Sequence, residues 1–95
     1  MKYHKINIEG RDYKACHIQV QNSNILIIAA QNGFIACGYI NIDIANKKNN
    51  ACAIITGVKN LDELLSEKVK MVSNAAGKIG IKEGMTGKEA LLLMK

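Results

Sequence analysis

Cys37 is the residue of this chain best suited to covalent chemistry. It closes the apolar stretch Phe34-Ile35-Ala36 and precedes Gly38, beyond which the sequence turns towards a short helix. A thiol near a helix start gains thiolate character, and the thiolate is the nucleophile. Such a cysteine also needs a base, and His4 and His17 are the only imidazoles, both on the first hairpin of the chain. Cys16 and His17 are adjacent in sequence, but neighbours in a strand point to opposite faces, so they cannot work as a pair. His17 shares a face with Tyr13 and Gln19, a possible polar patch. Against the nucleophile stands the plainer reading of Cys37 as a small buried hydrophobe, the common state of a free cysteine.

A second group of chemistry-bearing residues lies near the C-terminus. Gly80, Gly84 and Gly87 frame Lys82, Met85 and Thr86 ahead of a helix start, where backbone amides can hold an anion. Gly-Met-Thr-Gly-Lys lacks the four-residue gap, and the Ser/Thr after Lys88, that a phosphate-binding P-loop requires. The candidate ligand contacts are therefore Gly38 and Asn41 beyond Cys37, and Thr86, Gly87 and Lys88 at the last helix. The plainer reading of the last three is loop and cap punctuation.

Three cysteines, Cys16, Cys37 and Cys52, cannot pair completely, and a reducing, cytoplasmic setting accounts for them most simply. Their spacing contains no Cys-x-x-Cys or His-x-x-x-His element, so neither a metal site nor a cofactor is expected. The net charge of +5 is dispersed: Arg11 is the sole arginine and no three basic residues are consecutive. Tyr3, Tyr13, Phe34 and Tyr39 stand outside any lysine cluster, leaving weak single-stranded nucleic-acid binding as a minor alternative. The longest apolar run, Ile25 to Ala30, has six residues, against about 20 for a membrane-spanning helix. Neither a membrane span nor a signal peptide is expected.

Ninety-five residues suffice for one domain, 1–95, with a thin core. The elements that must position the residues above read as an α+β domain: an antiparallel-rich sheet of about five strands in the first 56 residues, packed by two or three helices from the C-terminal part. Lys5 to Glu9 alternates polar and apolar residues, Gly10-Arg11 marks a turn, and Asp12 to Val20 returns with Ile18 and Val20 read as its core side. Gln21-Asn22-Ser23-Asn24 is a turn cluster. Asn24 to Ala30 and Ala51 to Thr56 do not alternate, so both of their faces should be covered. Asn32-Gly33 signals a hairpin, and Phe34 to Tyr39 runs back beside its predecessor. A short helix is expected from Ile42 to Lys48, capped by Asn41. Asn60 and Glu63 make a capping-box pattern before Leu61–Leu65, and Ser66 is read as the cap of a fresh helix, Glu67–Ile79, ended by Gly80. Thr86 and Glu89 repeat the capping-box spacing before a final short helix.

Three strings carry a family resemblance: Gly33-Phe34-Ile35-Ala36-Cys37-Gly38-Tyr39-Ile40, Gly57-Val58-Lys59-Asn60-Leu61-Asp62-Glu63-Leu64-Leu65, and Gly80-Ile81-Lys82-Glu83-Gly84-Met85-Thr86-Gly87-Lys88-Glu89-Ala90-Leu91. Together they resemble the YunC-like family of small uncharacterised domains over nearly the whole chain. The resemblance implies a compact α+β domain of bacteria and archaea whose biochemical role is unassigned. This chain departs from the family pattern at Asn41, where an acidic residue is frequent, and at Ala53-Ile54, where Gly-Arg is frequent. If a polar site used that carboxylate and guanidinium, it would lack both here.

The leading functional expectation is a non-enzymatic, cytoplasmic, homo-oligomeric domain that binds a small-molecule ligand or a protein partner. The oligomer is expected because two strands with both faces apolar need more cover than a few short helices supply. The alternative is an enzyme with Cys37 as nucleophile.

Overall fold

A computed structural model of the chain describes residues 2–95. A single six-stranded sheet runs in the order β1-β2-β3-β4-β5-β6, built from β1 (Lys2–Ile8), β2 (Arg11–Val20), β3 (Ser23–Ala30), β4 (Gly33–Ala36), β5 (Cys52–Ile54) and β6 (Met71–Val72). Four short helices accompany it: α1 (Ile42–Lys47), α2 (Leu61–Ser66), α3 (Asn74–Lys78) and α4 (Gly87–Leu93). The architecture is α+β and mostly antiparallel, as the sequence indicates. The exception is β4 with β5, which are parallel and joined through α1, with Ile35 opposite Ala53.

The first three hairpins are tight because each loop has two residues. Between β1 and β2 the turn is Glu9-Gly10, both at positive φ, a geometry whose twist suits a hairpin. Register then fixes the faces. Tyr13 pairs with Ile6, Ala15 with Ile28 and His17 with Leu26, and Tyr13, Ala15, Leu26 and Ile28 are buried beneath α2 and α4 with Ile35, Leu64 and Leu91. Full burial of each large aliphatic side chain there contributes roughly 1.5–3 kcal/mol.

The core side of β2 is therefore opposite to the expected one, for Val20 is 43% exposed. Counting apolar residues favoured Ile18 and Val20. Ala15 and the ring of Tyr13 fill the space instead, because they lie opposite Ile28 and Ile6. Tyr13 brings a cost: its hydroxyl is buried without a hydrogen-bond partner among the described residues. An unsatisfied buried hydroxyl costs about 1–3 kcal/mol, so Tyr13→Phe is expected to stabilise the protein by about 1 kcal/mol in urea unfolding. A loss of stability would mean that the hydroxyl is satisfied, for example by a bound water.

The second face of the sheet is covered only in part. Ala45 of α1 packs there on Ala36, Cys52 and Ile54. Asn41 caps α1 as expected, its side-chain oxygen accepting from the Asp43 amide at 2.8 Å.

The helix expected over Glu67–Ile79 is not formed as one piece. Ser66 ends α2, residues 67–73 are largely extended, and α3 is capped by Ser73. The open edge of β5 explains this: Ile54 O accepts from Lys70 N at 2.8 Å and Cys52 O from Ser73 N at 2.9 Å. Val69 and Val72, spaced like helix residues, also suit a strand. Gly80, at φ +97°, ends α3 as expected. The Ile81 amide donates to Ala76 O and the Gly80 amide to Gly77 O, both at 3.1 Å, and a residue with a side chain is strained at that left-handed position. The capping box of α4 is complete, with reciprocal bonds between Thr86 and Glu89. The Thr86 backbone and side chain hold the Glu89 carboxyl below the usual carboxylate range.

Candidate functional site

Two loops part where the parallel strands end. The chain leaves β4 through Cys37 and Gly38 and leaves β5 through Ile55 and Thr56, with Ile55 N donating to Ala36 O at 2.9 Å. Loops that diverge from the carboxyl ends of neighbouring parallel strands leave a crevice between them. Here the third wall comes from the β2–β3 turn. The result is an open cleft of about 410 Å³ lined by Asn24, Cys37, Gly38, Tyr39, Gly57 and Lys59, among others.

Lys59 is the only charged residue of that lining, and the amides and hydroxyls of Asn22, Ser23, Asn24 and Tyr39 supply the rest of its polarity. Asn24 is held in place by His17, whose Nε2 donates to Asn24 Oδ1 at 2.6 Å. Lys59 is positioned through its backbone, since its amide donates to Glu63 Oε1 at 2.8 Å while Asn60 caps α2.

Cys37 is 4% exposed, and its Sγ accepts the Leu26 amide at 3.3 Å while its own amide donates to Leu26 O at 3.0 Å. The cysteine thus fastens the end of β4 to β3. Leu26 stands between it and His17 in the sheet, so the two backbones are two strand spacings apart, roughly 10 Å. His4, opposite Ala15 on β1, is one strand further. Neither imidazole is placed beside the thiol. The face shared by Tyr13, His17 and Gln19 is not a polar patch either, because Tyr13 is buried and Gln19 is exposed.

The remaining candidates from the sequence lie elsewhere. Asn41 is exposed, with its side-chain oxygen engaged in the α1 cap. Thr86 Oγ1 is engaged by the Glu89 amide, and the Gly87 amide donates to Glu67 O at 3.0 Å. Lys88 is exposed, and none of these four residues lines the cleft. Ala53 and Ile54, at the Gly-Arg positions of the resembled pattern, are fully buried in β5. Asn24, Tyr39 and Lys59 were not legible as site residues, because each looks like ordinary turn or loop punctuation until β3, β4 and β5 are set side by side. Among the described residues no group of three or more His, Cys, Asp or Glu is placed to hold a metal ion.

The three thiols are free and differ in exposure. Burial pushes the Cys52 thiol up to about 12, which leaves about one thiol in ten thousand ionised at pH 8. Iodoacetamide applied to dilute folded protein is therefore expected to label half-buried Cys16 first, with Cys37 and Cys52 inert until unfolding. Peptide mapping of the alkylated protein checks the order, and labelling of Cys37 ahead of Cys16 would restore the nucleophile reading.

No helix among the described residues is long and apolar enough to cross a membrane. Residues 36–94 match the family described as "Domain of unknown function (DUF1805)". The chain is 36% identical to the uncharacterized protein YunC of Bacillus subtilis (strain 168), over 94% of this chain and 92% of that protein. It superposes on the crystal structure of TA1206, a protein of unknown function from Thermoplasma acidophilum, with a TM-score of 0.93 at 31% identity, covering 99% of this chain and 92% of that one. The strands and loops that form the cleft thus lie in a fold shared by uncharacterised relatives, and the chain belongs to the DUF1805 family of YunC-like domains.

Proposed function

We propose that the chain is a non-enzymatic cytoplasmic domain that works as a homo-oligomer and binds a small polar, anionic ligand. The ligand sits in the cleft at the carboxyl ends of β4 and β5. The observation that carries this reading is the cleft itself, with one ammonium group, from Lys59, among neutral donors from Asn22, Ser23, Asn24 and Tyr39. A carboxylate or phosphate group is the complement of that set. Binding rather than catalysis is favoured because Cys37 is buried, engaged with Leu26 and two strands from His17. The free thiols support a reducing compartment.

Titration of ¹⁵N-labelled protein with citrate and with inorganic phosphate tests the reading. Amide shifts are expected at Gly38, Gly57 and Lys59, with several-fold weaker binding in Lys59→Ala. Shifts confined to Gly87 and Lys88, or none at millimolar ligand, would overturn it.

A further inference from the structure

His17 stands behind the wall of the cleft rather than in it. Its register partner on β3 is Leu26, and Asn24 is the diagonal neighbour on the same face of the sheet, a separation that a long or aromatic side chain can bridge. Here it is bridged: His17 Nε2 donates to Asn24 Oδ1 at 2.6 Å, and the pair is part-buried. Asn24 in turn lines the cleft with Lys59. With its oxygen taken by the imidazole, the Asn24 side chain has its NH2 group left for a ligand.

We infer that His17 is the positioning residue of the cleft and couples its ligand to a proton, so that an anion binds more tightly when the imidazole is charged. The inference rests on the reading of the cleft as an anion site and adds the regulation of that site. Two effects run in the same direction. Nε2 carries a hydrogen in the imidazolium and in only one of the two neutral tautomers; in the other it would accept, and Asn24 would turn its oxygen to the ligand instead. Protonation therefore holds Asn24 as a donor towards the cleft. It also adds a second positive charge to that of Lys59. A hydrogen bond, the width of the amide and a second hydrogen bond separate Nε2 from a ligand on Asn24, about 7 Å. A unit charge at that distance changes the affinity for an anion by about three- to tenfold in a partly solvated setting.

Imidazole is the side chain whose charge changes between about pH 5 and 8. Beyond Tyr13 on the same face of β2, the titratable groups on the surrounding elements are Lys2, the register partner of His17, and His4 on β1, Lys59 beside the cleft, and Asp62 and Glu63 in the first turn of α2. β3 contributes none. His4 is the only other imidazole. It is exposed, and strand spacing puts it roughly 16 Å from Asn24, beyond the screening length of about 10 Å in ordinary salt.

Sulfate is the probe, because it keeps both of its charges over this pH range and brings no titration of its own. At constant ionic strength, sulfate affinity read from the amides of Gly38, Gly57 and Lys59 is expected to rise about three- to tenfold from pH 8 to pH 5.5. Linkage is reciprocal, so saturating sulfate should raise the titration midpoint of the His17 ring protons by about 0.5–1 pH unit, while that of His4 stays where it is. His17→Gln isolates the charge, because its amide nitrogen can donate to Asn24 Oδ1 as Nε2 does but does not titrate. That variant should keep the wild-type affinity of pH 8 and show no rise. Sulfate bound equally well at both pH values, or a rise that persists in His17→Gln, would overturn the role of His17 and leave the cleft reading standing. No shift of those amides at either pH would overturn the cleft reading, and this inference with it.

Discussion

Gly87→Ala is expected to destabilise the protein by about 3–5 kcal/mol, lowering the melting temperature by on the order of 15–30 °C in a chain of this size. Gly87 is the first residue of α4 and is buried against α2. A methyl group there would overlap the Leu64 carbonyl oxygen and would also lie 3.1 Å from the Leu64 carbonyl carbon and 3.2 Å from Ile35 Cδ1. The Ile35 methyl can rotate away, but the Leu64 carbonyl is helix backbone, and its residue's amide is bonded to Asn60 O at 3.1 Å. The whole of α4 must therefore retreat, opening the contact made by Leu64, Ala90 and Leu91. Gly77→Ala is the natural control. A methyl group at Gly77, within α3, meets nothing within 4 Å, and alanine is the better helix former, so a gain of about 0.5–1 kcal/mol is expected. Urea unfolding of the two variants measures both effects, and a loss below about 1 kcal/mol for Gly87→Ala would show that the α2–α4 contact yields easily.

Ser73→Ala carries the second large effect, an expected loss of about 2–4 kcal/mol. Ser73 is 1% exposed, the only buried polar or charged residue among the described residues. Its hydroxyl donates to Asn50 O at 2.7 Å and accepts from Cys52 N at 2.9 Å and Ala76 N at 3.2 Å. One hydrogen and two lone pairs are all that a serine oxygen has, and all are used. Alanine would leave the Cys52 and Ala76 amides without a partner in a buried setting, whereas Asn50 is exposed and its carbonyl can turn to water. Hydrogen exchange gives a sharper check than stability alone. The Cys52 amide should lose protection more than that of Ile28, which lies in β3 away from the hydroxyl. Equal loss at both would mean general weakening rather than a broken junction.

These two residues also show where sequence reading stops. Gly87 looked like loop punctuation or an anion-binding amide; its role is to let two helices touch. Ser66 looked like the cap of a long helix, with the same residue type at Ser73 passing unnoticed. The difference lies in Asn50 and Cys52, more than twenty positions back in the chain. Cys37 stood out in the sequence as a candidate nucleophile at the end of a strand, and the structure bonds its sulfur to the Leu26 backbone amide rather than to an imidazole.

What the sequence determined by itself is the local content of the fold. Period-two alternation located β1 and β2, turn residues on either side marked off β3 and β4, and the side chains of Asn41, Asn60 and Thr86 announced their helices. Each of those signals acts within about four positions, so no other part of the chain is needed to read it. Tertiary structure alone decided the parallel pairing of β4 with β5, the sixth strand, the face of β2 that enters the core, and hence the cleft. The face of β2 follows from its register with β1 and β3, and the other three depend on which backbone groups were still unpaired once the hairpins had closed. β5 offered the carbonyls of Cys52 and Ile54, and residues 67–73 gave up helical spacing to meet them.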